Sequence, residues 1–167
     1  MKSSLTAYIV DDESLARKGL ALRLQPFTQV ELVGESGSSR QALEEIIQLR
    51  PDVVFIDIQM PGLNGFELLR ELQQRLEELP VVVFVTAFDQ YAIKAFEVRA
   101  LDYLLKPVDE ERLKETLERV EQERQPNEYE KTQQKLVDLV SEVTGQKGDA
   151  ILERLAAGAD VSDLNRY

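Results

Sequence analysis

Five polar side chains stand where apolar runs of the sequence end, and their types suit the binding and transfer of a phosphoryl group. They are Asp11, Asp12, Asp57, Thr86 and Lys106. The chain has no Cys and no His, which excludes thiol nucleophiles, thiolate zinc sites and imidazole bases. Any chemistry must therefore use carboxylate, hydroxyl and ammonium groups.

Asp57 is the most unusual of these residues. It ends the apolar run of residues 53–56 and precedes a turn at residues 60–62. A carboxylate at the end of a core strand costs free energy unless a bound group or polar neighbours compensate. If Asp11 and Asp12 lie beside it, three carboxylates repel one another, and a divalent cation relieves that repulsion. Mg²⁺ fits this inventory because it usually binds one or two carboxylates together with a phosphate oxygen.

A phosphoryl group is the expected ligand of such a site. The Asp57 carboxylate can attack phosphorus and form an acyl phosphate. The Lys106 ammonium and the cation would neutralise charge on the transferred group, and the Thr86 hydroxyl would donate a hydrogen bond to one of its oxygens. The residue types thus predict phosphoryl transfer that depends on positioning and electrostatics.

The elements that must position these residues are five units of a strand followed by a helix. The predicted strands are LTAYIV, VELVGES, DVVFID, VVVFVT and ALDYLLK, each followed by a stretch of helical period. The apolar face of the first helix is predicted to contain Leu15, Leu20, Leu22 and Leu24. Strands that are apolar on both faces are typical of a parallel sheet covered by helices. The sequence therefore predicts an α/β fold, a doubly wound (βα)5 domain over residues 1–125.

The order of the strands decides which polar residues meet. In doubly wound sheets, ligands bind beyond the carboxyl ends of the strands, where the strand order reverses. The flavodoxin-like order 2-1-3-4-5 makes the first and third strands neighbours and would bring Asp11, Asp12 and Asp57 together. This order is taken from known doubly wound folds and does not follow from the periodicity, and we expect it for the five-stranded parallel sheet.

Four stretches resemble the receiver domain of two-component response regulators: YIVDDESLAR, DVVFIDIQMPGLNGFELL, VVFVTAF and ALDYLLKP. The resemblance implies that Asp57 is the phosphoacceptor and takes its phosphoryl group from a sensor histidine kinase. It also implies a Mg²⁺ cofactor held directly by Asp12 and Asp57, through water by Asp11, and by the main-chain carbonyl of Gln59. Such a domain is a signalling module, not an enzyme, beyond its own phosphorylation and dephosphorylation.

The same resemblance implies a switch and an output. Thr86 and Tyr103 would be the switch pair, and the peptide bond between Lys106 and Pro107 would be cis. The segment at residues 97–99 is Glu-Val-Arg and resembles receivers joined to LytTR-type DNA-binding domains. This subtype implies homodimerisation on phosphorylation, through the fourth helix, fifth strand and fifth helix, with transcriptional output.

Each of these residues also has an ordinary structural explanation. The acids at residues 11–13 favour a helix start, Thr86 and Tyr103 suit strands, and Lys106 suits a surface. Their joint placement at strand ends favours the functional interpretation. A haloacid-dehalogenase-type phosphatase is disfavoured, because it needs a second acid where Gln59 stands. FMN binding is disfavoured because the acids after the first strand would repel its phosphate.

Charge and composition restrict the partners and the location. Asp and Glu number 31 against 20 Lys and Arg, for a net charge of −11, so direct binding of this chain to nucleic acid is not expected. No segment is typical of a signal peptide or of a membrane span. The sequence therefore predicts a soluble, cytoplasmic protein without a membrane partner.

Residues 126–167 differ in character from the rest. Pro126 should interrupt the fifth helix, and Tyr129, Leu136, Val140 and Val143 fall near heptad spacing. We predict a linker or helical tail here, with the DNA-binding output domain absent from this chain. The alternative is a stand-alone receiver, or one that is never phosphorylated, which acts as a protein–protein interaction module through its helical tail.

Overall fold

Five parallel strands alternate with five helices in residues 4–124, the part of the chain that this computed structural model describes. The elements are β1 Leu5–Val10, α1 Ser14–Leu24, β2 Val30–Ser36, α2 Ser39–Leu49, β3 Val53–Ile56, α3 Gly65–Arg75, β4 Val81–Thr86, α4 Ala92–Glu97, β5 Asp102–Leu105 and α5 Glu110–Arg124. The strand order is β2-β1-β3-β4-β5, and every neighbouring pair is parallel. This confirms the predicted fold class and the predicted order 2-1-3-4-5.

The sheet is covered on both faces because successive residues of a strand point to opposite sides. In β1, Tyr8 and Val10 pack in a cluster with residues of α2, α3 and α4. Ala7 and Ile9 of the same strand pack in a second cluster with residues of α1 and α5. All four residues of β3 are buried as well. Burial on both faces therefore explains the continuous apolar runs of the central strands.

The prediction for the apolar face of α1 was partly wrong. Leu20 and Leu24 are buried, but Leu15 is 79% exposed and Leu22 is 63% exposed. Each helical residue turns by about 100°, so Leu22 lies about 200° around the axis from Leu20. Leu15 and Leu22, seven residues apart, share the solvent side. The helix exists as predicted, but only one of its two leucine stripes faces the sheet.

Several predictions concern residues outside the described range. They are the helical extension over 126–167, the interruption at Pro126 and the near-heptad positions Tyr129, Leu136, Val140 and Val143. The domain boundary near residue 125 also stays a prediction. Within residues 4–124, no helix is long and apolar enough to cross a membrane.

Candidate functional site

Three carboxylates meet at the carboxyl edge of the sheet. One oxygen from each of Asp11, Asp12 and Asp57 lies within 4.8 Å of the other two, and Asp11 and Asp57 are buried whereas Asp12 is exposed. The pairing of β1 with β3 produces this arrangement, because the Asp57 amide donates to the Val10 carbonyl at 2.9 Å. The donors are oxygens only, which is the ligand type that Mg²⁺ prefers. The cluster could therefore hold that ion.

Lys106 approaches the carboxylates from the far side of β4. Its Nζ lies 2.7 Å from Asp11 Oδ2 and 3.1 Å from Asp57 Oδ2. Two strand spacings, or about 10 Å, separate β5 from β3, so only a long side chain can cover this distance. The Lys106 amide donates to the Thr86 carbonyl at 2.8 Å, and the Lys106–Pro107 peptide bond is cis. The ammonium thus lies between two buried carboxylates.

Burial and the ion pairs shift the pKa values of both partners. Burial raises the pKa of Asp57 above its usual value, and the nearby Asp11 acts in the same direction, while the Lys106 ammonium opposes the rise. Burial alone would lower the pKa of Lys106, but its hydrogen bonds to Asp11 and Asp57 outweigh burial and raise it. Lys106 therefore stays charged, and any further cation that binds beside Asp57 would stabilise its ionised carboxylate.

Thr86 and Tyr103 each make a hydrogen bond to the main chain of the same residue, Phe88. The buried Thr86 hydroxyl accepts a hydrogen bond of 3.4 Å from the Phe88 amide. The Tyr103 hydroxyl donates to the Phe88 carbonyl, and burial raises the pKa of this tyrosine. The loop from β4 to α4 is therefore tied at a single residue to both members of the predicted pair.

Residues 7–118 match the family model described as the response regulator receiver domain. The chain belongs to this family. Receivers are signalling domains that interact with sensor histidine kinases, not a family of enzymes in the usual sense. The acid cluster of this receiver has the oxygen donors that could bind Mg²⁺, as in the family.

Similar curated proteins are longer than the matched region. This receiver is 54% identical over 101 residues to an uncharacterized response regulatory protein of Vibrio parahaemolyticus, covering 60% of this chain and 41% of that protein. Identity is 50% over 101 residues to the sensory transduction protein LytT of Bacillus cereus, with the same coverages of 60% and 41%. It is 51% over 97 residues to the transcriptional regulatory protein BtsR of Escherichia coli, covering 58% and 40%. The match thus spans about two fifths of each relative.

Solved structures support the same assignment. The response regulatory domain of mrkE from Klebsiella pneumoniae superposes with a TM-score of 0.66 at 34% identity, covering 72% of this chain and 99% of that domain. The receiver domain of AraT from Geobacillus stearothermophilus gives a TM-score of 0.64 at 32% identity, with coverages of 72% and 98%. Both matches cover nearly the whole of a solved receiver.

Gly65 has a role in this receiver that the sequence analysis did not identify. A Cβ on Gly65 would lie 2.6 Å from the Asp57 carbonyl oxygen and 2.9 Å from Ile58 Cα. The Gly65 amide donates to the Ile58 carbonyl at 2.9 Å. Asn64 and Glu67 then begin α3 with a capping box. Helix α3 therefore packs directly against the backbone that carries Asp57.

Arg17 was also missed, although it lies within one of the quoted stretches. Its Nη1 donates to the Asp11 carbonyl at 2.6 Å, and its Nε donates to Glu35 Oε1 at 3.2 Å. A Cβ on Gly37 would lie 2.7 Å from Arg17 Nη1, so any larger residue there would require the guanidinium to shift. Arg17 thus holds the main chain of the acid cluster to β2.

Asp11 serves the local fold as well as the cluster. Its Oδ1 accepts a hydrogen bond of 3.0 Å from the Glu13 amide, just before α1 begins. This bond stabilises the turn before α1, but the helix has no side-chain cap and no acid in its first turn, so Asp11 does not cap the helix as the structural explanation supposed. Its other carboxylate oxygen remains engaged with Lys106, so the two functions use different atoms.

Asp102 connects the predicted switch residue Tyr103 to α5. Its buried carboxylate accepts hydrogen bonds from Arg112 and Thr116, and from Arg119 at 3.1 Å. It also accepts one of 2.8 Å from the Tyr103 amide. Burial alone would raise the pKa of Asp102, but the hydrogen bonds from Arg112 and Thr116 lower it below the usual value. A charged network therefore fixes α5 to the strand that carries Tyr103.

Proposed function

We propose that this receiver accepts a phosphoryl group on Asp57 from a sensor histidine kinase, in a Mg²⁺-dependent reaction. The observation that carries the proposal is the convergence of Lys106 with Asp11 and Asp57 at 2.7 Å and 3.1 Å, beside the third carboxylate of Asp12. A half-buried ammonium among carboxylates that can also bind a cation suits the negative charge of a phosphoryl group.

In the transfer step, a carboxylate oxygen of Asp57 forms a bond to phosphorus. The bond from phosphorus to the donor nitrogen of the kinase histidine breaks, and its electron pair returns to the imidazole. Lys106 neutralises charge on the phosphoryl oxygens and holds them in line. Mg²⁺, held by Asp12, Asp57, the Gln59 carbonyl and, through water, Asp11, would supply further charge neutralisation when bound. The product is an acyl phosphate on Asp57.

Phosphorylation would then act on the loop that Thr86 and Tyr103 share. The Thr86 hydroxyl would turn to donate a hydrogen bond to a phosphoryl oxygen. The Phe88 amide would then lose the hydroxyl oxygen that accepts its hydrogen bond in this structure. Movement of Phe88 removes the carbonyl to which the Tyr103 hydroxyl donates, so the ring is released to repack. A free-energy difference of a few kcal/mol between two packings of Tyr103 and its neighbours is enough to shift the receiver from one conformation to the other.

The output would be homodimerisation through α4, β5 and α5. Three large apolar side chains on this surface are exposed: Ile93 by 76%, Phe96 by 82% and Leu105 by 48%. We propose that dimerisation controls transcription through a LytTR-type DNA-binding domain. The net charge of −11 disfavours DNA binding by the chain itself.

The test is to add Mg²⁺ with beryllofluoride or a small phosphodonor. The mass of the adduct and the oligomeric state of the protein are then measured. Wild type should gain one adduct and shift from monomer to dimer, and Asp57→Asn should do neither. Asp52→Asn is the matched control, because Asp52 precedes the other end of β3 and accepts hydrogen bonds from Thr6. No adduct on wild type, or a dimer indifferent to it, would favour the unphosphorylated interaction module instead.

A further inference from the structure

Gln59 and Tyr91 form a hydrogen bond between the two loops that border the site. The Gln59 amide nitrogen, Nε2, donates to the Tyr91 hydroxyl at 2.8 Å, although the residues are 32 positions apart. Gln59 lies two residues after Asp57 in the loop before α3, and Tyr91 lies immediately before α4. The bond therefore joins the loop of the phosphoacceptor to the first turn of α4, and neither the Thr86 nor the Tyr103 side chain takes part in it.

The Tyr91 hydroxyl is well placed to hold this amide, because its ring is fixed by aromatic neighbours. Its ring centroid lies 6.2 Å from that of Phe66 and 6.3 Å from that of Phe88, both edge-on. Phe66 packs in turn on the buried Phe84 at 4.9 Å. A groove of about 450 Å³ opens beside these residues and is lined by Gln59 and Tyr91 among others. The exposed Gln59 side chain has room to move when it is not bound.

A carboxamide near a phosphoryl group can orient the water that hydrolyses it, as the catalytic glutamine of small GTPases does. Gln59 is two residues from the proposed phosphoacceptor, so its side chain is a candidate for this role. When its amide donates to Tyr91, the carboxamide is directed towards α4 and is withheld from such a water. We infer that Tyr91 is a positioning residue that acts through Gln59 to slow hydrolysis of the acyl phosphate.

The inference rests on the proposed function, since it concerns the lifetime of the phosphoryl group on Asp57. In the hydrolysis that it limits, a water oxygen forms a bond to phosphorus and the bond from phosphorus to the Asp57 oxygen breaks. The electron pair returns to the Asp57 carboxylate, and the water proton leaves with inorganic phosphate or to solvent. Tyr91 touches none of the reacting atoms.

The experiment measures the lifetime of the phosphoryl group after loading with a small phosphodonor and Mg²⁺ and removal of the donor. Tyr91→Phe removes the hydroxyl and keeps the ring packed against Phe66 and Phe88. We expect it to shorten the lifetime about threefold or more. Tyr8→Phe is the matched control, because the Tyr8 hydroxyl bonds to Glu45 on α2, away from the site, and should leave the lifetime unchanged.

The double variant distinguishes positioning from a general loosening of α4. In the Gln59→Ala background, Tyr91→Phe should have no further effect, since the carboxamide that Tyr91 restrains is gone. A Tyr91→Phe lifetime equal to that of wild type would overturn the inference, and so would an equal shortening in both backgrounds. Absence of any adduct on wild type would instead overturn the proposed function, and the inference with it.

Discussion

Asp57 and Lys106 form an ion pair of 3.1 Å across an intervening strand, although 49 residues separate them in the sequence. The strand order places β4 between their two strands, and the same ammonium reaches Asp11 at 2.7 Å. The geometry therefore concentrates a positive charge where the proposed phosphoryl group would sit.

Lys106→Ala should slow formation of the phosphoryl adduct about 100-fold, because it removes a preorganised charge on the transferred group. The measurement is the rate of adduct formation by mass spectrometry with a small phosphodonor and Mg²⁺. Lys18→Ala, at an exposed position of α1, is the control and should react at the wild-type rate. A Lys106→Ala protein that reacts as fast as wild type would show that the ammonium is dispensable.

Tyr103→Phe should leave the adduct intact but weaken the dimer response. The substitution removes only the hydroxyl that donates to the Phe88 carbonyl, a net contribution of about 1 kcal/mol to one of the two packings. Adduct mass and dimer fraction should be measured on the same sample at several protein concentrations. If adduct and dimer responses both equal those of wild type, this hydrogen bond takes no part in the switch.

Gly65→Ala should destabilise the fold by about 1–3 kcal/mol, because its Cβ would overlap the backbone of Asp57 and Ile58. The midpoint of urea unfolding measures the change. Gly19→Ala is the control: it lies inside α1, and its Cβ would meet only the flexible end of Arg23 at 3.1 Å. That substitution should be neutral or stabilising by up to about 1 kcal/mol. Equal effects of the two substitutions would contradict the close approach of α3 to Asp57.

Asp102→Asn should lower the free energy of unfolding at neutral pH by roughly 2–3 kcal/mol, which is less than the loss of about 3–5 kcal/mol for a fully buried pair. The loss is smaller because the Arg112 side chain remains 38% exposed, so solvent screens its charge. Urea unfolding at pH 7 measures this loss. Asp89→Asn, in the exposed part of the β4–α4 loop, should be close to wild type.

The stability contribution of Asp102 should also depend on pH in a defined direction. Its pKa is lowered in the folded state, so the contribution is complete above the unfolded pKa of about 3.9. It is lost as the pH falls through the lower folded pKa. The difference in unfolding free energy between wild type and Asp102→Asn should therefore shrink in acid. A constant difference from pH 7 to pH 3 would contradict the charged network.

The sequence alone determined the architecture and the residues that line one edge of the sheet. The repeated strand-then-helix units predict a parallel sheet, and the carboxyl ends of parallel strands share an edge. Asp11, Asp57 and Lys106 could therefore be assigned to one edge before any coordinates, whereas the order of the strands along that edge came from known doubly wound folds. This works because strand periodicity and strand ends are local properties of the chain.

The surroundings of that edge depend on how the elements pack against one another. The exposure of Leu15 and Leu22 depends on which stripe of α1 faces the sheet. The contact of Arg17 with the Asp11 carbonyl and the bond between Gln59 and Tyr91 depend on side-chain rotamers across distant elements. Hydrophobic periodicity carries no information about such contacts, because they join polar atoms whose sequence separation is arbitrary. These contacts form only once the helices and strands have packed against one another.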